Sequence, residues 1–177
     1  MATERDILTN ILSLREKTKC TKFAGAITIE LLRKEFAELD LNVSNRDVFI
    51  EGVTNELDLL IAKKGAFAEA DLVYDPDDVL AVLEVKFRGS YGKKNIDHIK
   101  AVFDSVTAAN SRIKCFYLTI SENRLYSHRA TRTNLGYDCF ELLTRDTNLE
   151  SALKKELIKE TGEWQKLLEM LKNLTVG

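Results

Sequence analysis

Val79–Arg88, VLAVLEVKFR, sets two charges, Glu84 and Lys86, into an otherwise apolar run. Val79, Leu80, Val82, Leu83, Val85 and Phe87 give it the composition of a buried strand. Residues two apart on a strand project from the same face, so Glu84 and Lys86 share a side. Unpaired ions buried on a central strand cost several kcal/mol, so both charges need partners. A metal ion bound to a phosphate would supply them. The plainer alternative is a Glu–Lys pair at the sheet rim, satisfied by itself or by water. Two other carboxylates qualify as companions: Asp58, inside the apolar run 56–62, and Glu30, on a helical stretch. Asp71, 13 residues before Glu84, competes with Asp58 for the strand position. The stronger strand around Asp58, LDLLI, favours Asp58.

These residue types suit hydrolysis of a phosphodiester. That reaction needs a nucleophilic water, neutralisation of charge on the phosphate and help for the leaving oxygen. Mg²⁺ takes oxygen ligands and keeps several waters, so one or two carboxylates plus a substrate phosphate suffice, and Mn²⁺ can substitute. Asp58 and Glu84 on neighbouring strands supply the carboxylates. Lys86 stabilises developing negative charge, or orients and deprotonates the water if its pKa is lowered. Glu30 completes a second metal site or holds a metal-bound water. An ordinary solvated helix glutamate is the plain reading of Glu30.

The elements that must carry these residues follow from periodicity. Residues 3–19 read as a helix, with Thr3 and Asp6 as a capping pair and Ile7, Leu8, Ile11, Leu12 and Leu14 as its apolar stripe. Residues 24–39 form a second helix on Ile27, Leu31, Leu32, Phe36 and Leu39. Strands are expected over 46–51 and 56–62, antiparallel across a turn at 52–55. A turn at Asp75–Asp78 leads into 79–88. A glycine loop, 89–94, precedes a helix over 95–110 that can carry a parallel crossover to a strand over 113–120. A further strand covers 137–143, and 148–173 reads as helical, kinked or divided at Gly162. Helices interleaved with strands predict a central mixed sheet covered on both faces.

The order Glu30 on a helix, Asp58 on a strand and Glu84-x-Lys86 on the next resembles the PD-(D/E)xK nuclease superfamily. The resemblance spans roughly residues 24 to 120 and rests on GAITIE, ELDLLI and LEVK. It implies an α/β fold of the restriction endonuclease-like kind, a three-layer α-β-α sandwich, as a single domain over 1–177 with helical extensions at both ends. It implies a Mg²⁺-dependent endonuclease acting on DNA, of restriction, defence or repair type, with Asp58, Glu84, Lys86 and Glu30 catalytic. Asp58, Glu84 and the backbone carbonyl of Val85 are the implied metal ligands. Many such enzymes cut as dimers, so a homodimer fits. The Gln-x-x-x-Tyr of RecB-type relatives is missing from the helix NIDHIKAVFDS. A catalytically silent domain of the same fold that binds nucleic acid or protein is the competing reading. An interaction module dimerising through the leucines of 149–171 is a third.

Composition narrows the classes. The chain has 177 residues, 45% hydrophobic and 31% charged, which describes an ordinary globular protein with a full core. A formal net charge of −2 excludes a polycation, so any nucleic-acid affinity must be local. From Lys86 to Arg132 there are ten basic and three acidic residues, +7 in all, beside the candidate site. Arg88, Lys93 and Lys94 are the expected phosphate contacts, with Tyr91 available to stack on a base. Cys20, Cys115 and Cys139 lack C-x-x-C spacing, which argues against zinc and disulfides and fits a reducing cytoplasm. Cys115 and Cys139 fall in apolar strands as core residues, and Trp164 packs a terminal helix. His98 and His128 have no metal-spaced partner. No signal peptide or membrane-spanning run is present, and no Walker or Gly-x-Gly-x-x-Gly motif points to a nucleotide cofactor.

Overall fold

A computed structural model describes residues 1–18, 24–39, 41–87, 93–121, 134–144 and 158–174. Helix α1 spans Glu4–Thr18 and α2 spans Ala24–Ala37. Three short strands follow: β1 (Asn42–Val43), β2 (Phe49–Ile50) and β3 (Leu59–Ala62). Then come β4 (Ala68–Glu69), β5 (Val73–Tyr74), β6 (Val79–Phe87) and helix α3 (Lys93–Ala109). Strands β7 (Lys114–Ser121), β8 (Asp138–Thr144) and β9 (Ile158–Lys159) lead to α4 (Glu163–Asn173).

The expected cap of α1 forms: the Thr3 hydroxyl donates to Asp6 Oδ2 at 2.7 Å, and the Asp6 N–H donates back to Thr3 Oγ1 at 3.2 Å. Six strands make one mixed sheet in the order β1-β3-β6-β7-β8-β9. Strand β3 runs antiparallel to both β1 and β6, the strands β6, β7 and β8 are mutually parallel, and β9 returns antiparallel to β8. Helix α3 is the crossover between the parallel strands β6 and β7.

Helices α1, α2 and α4 cover one face, burying Ile7, Leu32, Phe36, Trp164 and Leu168 against Leu59, Leu83, Val85, Phe116 and Phe140. The second face is covered by α3 and a three-stranded sheet of order β2-β5-β4, which bury Ile50, Tyr74, Ile99 and Phe103 against Leu60, Val82, Cys115 and Tyr117. The result is an α/β sandwich on a mixed sheet. Trp164 stacks on Phe36 with ring centroids 5.7 Å apart, and its indole N–H donates to the Ala2 carbonyl at 3.0 Å.

Three expectations change. The strand over 46–51 contracts to β2, which pairs parallel with β5 in the small sheet. Its antiparallel meeting with the next strand survives only as a single bridge, Val48 to Leu57. Within the expected 148–173 helix, the described residues are helical only over Glu163–Asn173. Ile158 and Lys159 pair with β8 instead, and Gly162, at φ 77°, divides the two segments. Residues 148–157 lie outside the described residues. Trp164, Leu167, Leu168 and Leu171 are buried inside the chain's own core, so this part of α4 presents no free dimer seam. A buried carboxylate explains how α4 is tied down. Glu4 accepts from the Thr161 N–H (2.9 Å), the Thr161 hydroxyl (2.7 Å) and the Gly162 N–H (2.9 Å), locking the start of α1 to the segment entering α4.

Candidate functional site

Strand β6 is the centre of the sheet, and its phase is set by a bulge. Opposite β3, Ile61 pairs with Ala81 but Ala62 pairs with Val79, leaving Leu80 as the extra residue. Val79 faces the α3 side; after the bulge, so do Val82, Glu84 and Lys86, while Ala81, Leu83 and Val85 face α1 and α2. The two charges therefore lie on the face shared with α3.

Asp58, just before β3, reaches the same place. Its Oδ2 accepts the Val85 backbone N–H at 2.8 Å and the Lys86 ammonium at 3.3 Å. Lys86 Nζ also contacts Glu84 Oε1. The Glu84 side chain is 11% exposed, Asp58 23% and Lys86 41%, so the cluster is a recess open on the lysine side.

Two carboxylates bracket one ammonium, leaving the recess with one excess negative charge. Burial, reinforced by Asp58, pushes the Glu84 carboxyl up to about 7 against the pull of Lys86. Burial lowers the pKa of Lys86, but Glu84 and Asp58 together outweigh it and the net shift is upward. Lys86 is therefore an ammonium at neutral pH. In that form it is placed to stabilise negative charge. Among the described residues no group of three or more His, Cys, Asp or Glu side chains converges to hold a metal ion. The recess offers a pair of hard oxygen donors at a partly buried, net negative position, a donor set that fits Mg²⁺.

Of the other candidate carboxylates, Glu30 and Asp71 lie on other elements. Glu30 sits on α2, which packs on the opposite face of the sheet, and its Oε2 meets Arg33 at 3.4 Å. Asp71 is exposed, in the β4–β5 turn at φ 58°, and belongs to the small sheet. Lys93 and Lys94 open α3 rather than lying in the glycine loop, and Lys94 is exposed. Arg88, Tyr91 and His128 lie outside the described residues, as do Cys20, Arg124, Arg129 and Arg132. Cys115 and Cys139 are buried in the core, and His98 is exposed.

Among the described residues, the basic side chains of the +7 segment are spread out and partly paired. Lys100 pairs with Asp104 at 2.7 Å and Arg112 with Asp77 at 3.0 Å. Lys114 is in register with Ala81, at the far end of the sheet from Lys86. Lys94 sits at the start of α3, Lys100 midway along it, and Arg112 and Lys114 beyond its end.

Three polar residues on the site's face escaped the sequence reading. Tyr117 is in register with Glu84, Thr119 with Lys86, and Glu141 with Thr119. All three are buried. The available signal was alternation: positions 117 and 119, and 141, share parity with the core residues Cys115 and Cys139 of the same face. No family model, curated protein or solved structure matches the chain. No helix among the described residues is long and apolar enough to cross a membrane.

Proposed function

We propose that the protein is a Mg²⁺-dependent endonuclease hydrolysing DNA phosphodiester bonds on a restriction endonuclease-like scaffold. The observation that carries this reading is the convergence of Asp58, just before β3, with Glu84 and Lys86 of β6 in one recess. Asp58, Glu84 and the Val85 carbonyl would hold the cation, which supplies charge neutralisation on the phosphate and lowers the pKa of a water. Lys86, kept as an ammonium by its two carboxylates, donates toward the non-bridging phosphate oxygens where negative charge builds. Asp58 also holds the β6 backbone at the site through the Val85 N–H. Lys94, exposed at the start of α3, is available as a phosphate contact.

A catalytically silent nucleic-acid or protein binding domain is the second reading. It draws on the ion pairing of Glu30 with Arg33, which leaves two carboxylates at the site. Purified protein incubated with plasmid, single-stranded DNA and RNA, with Mg²⁺ or Mn²⁺, separates the two. The nuclease reading expects DNA cleavage that falls at least about 100-fold in Lys86→Ala. It fails if no substrate is cut and calorimetry finds no divalent-cation binding.

A further inference from the structure

Tyr117 lies at the middle of β7, flanked in register by Glu84 of β6 and Cys139 of β8. In-register side chains on neighbouring strands stand on the same face, about 4.8 Å apart at the backbone. Tyr117 is fully buried, yet its hydroxyl has no hydrogen-bond partner among the described residues. A buried hydroxyl without a partner is costly, and native proteins satisfy such groups directly or through an enclosed water. Burial raises the phenol's pKa, with Cys139, Glu84, Asp58 and Glu141 adding to it, so the group stays protonated and acts as a donor. The polar acceptor next to it in register is the buried carboxylate of Glu84. No direct hydrogen bond joins the two among the described residues, and an enclosed water is the usual link for a buried hydroxyl so placed.

We propose that Tyr117 is a positioning residue of the candidate metal centre, its hydroxyl donating through one enclosed water to the Glu84 carboxylate and fixing the oxygen that faces the cation. This role rests on the reading of Asp58 and Glu84 as metal ligands. Groups that orient a ligand in this way set metal affinity, and their loss weakens it by about 10–100-fold.

The test uses the full-length protein and its Tyr117→Phe variant, which keeps the ring and removes only the hydroxyl. Calorimetric titration with Mn²⁺ is expected to show binding about 10–100-fold weaker in the variant, with far-UV circular dichroism unchanged. Equal affinities in the two proteins overturn the proposal. A crystal structure of the wild type supplies an independent readout, which also serves if the variant does not fold. A water within about 3 Å of both Tyr117 Oη and a Glu84 oxygen supports the bridge. A dry site, or a hydroxyl bonded to another group, refutes it. If the wild type binds no Mn²⁺ at all, the nuclease reading falls, while the crystal structure still decides whether Tyr117 and Glu84 are joined.

Discussion

Glu84→Gln separates the charge of the site from its shape. In the metal-free protein the Glu84 carboxyl is pushed from 4.5 to about 7, first by burial and then by Asp58. The folded state therefore favours the protonated form. Its contribution to stability is fully present below pH 4.5 and is lost as pH rises through about 7. The whole shift corresponds to roughly 3 kcal/mol. With Glu84 only 11% exposed, little of that is screened by solvent. Glutamine mimics the protonated acid and does not titrate. The stability of the wild type relative to Glu84→Gln should therefore drop by roughly 3 kcal/mol between pH 4.5 and 8, or about 6–12 °C in melting temperature for a chain of this size. Thermal melts of both proteins in a chelator, across that range, read the difference directly and cancel the titrating groups remote from the recess. Saturating Mg²⁺ at pH 8 should restore the wild type and leave the variant unmoved. Parallel melting curves from pH 4.5 to 8 would refute the account of the recess as an overcharged, partly buried site.

Asp58→Ala should abolish divalent-cation binding in calorimetry, whereas Asp71→Ala, altering an exposed turn, should leave it intact; the reverse pattern transfers the ligand role to Asp71. Glu4→Ala removes the acceptor of three hydrogen bonds from Thr161 and Gly162 and should cost roughly 3 kcal/mol in urea unfolding, and an unshifted midpoint counts against the α1–α4 clamp. Cys115 and Cys139 should resist alkylation in the native protein at pH 8 and react in urea, as mapped by mass spectrometry, because both are buried and burial pushes the Cys115 thiol up to about 12. Rapid native labelling of Cys115 would contradict its placement in the core.

Much of this protein was legible in its residues. Local periodicity marked α1 with its Thr3–Asp6 cap, α2, α3 as a crossover and the parallel strands that flank it, because a helix or strand is announced by which neighbours along the chain are apolar. The spacing of Glu84 and Lys86 also determined that they share a face. Which face was a matter for tertiary structure. The run VLAVL is apolar at both parities, and only its pairing with β3, bulged at Leu80, turns the charges toward α3. Pairing between distant segments likewise brought Asp58 rather than Asp71 to Lys86 and set Glu30 on the other side of the sheet. It also shortened the strand at 46–51 and converted Ile158–Lys159 to an edge strand. Periodicity is a property of neighbours a few residues apart. Register is a free-energy decision among segments that meet only after the chain has folded.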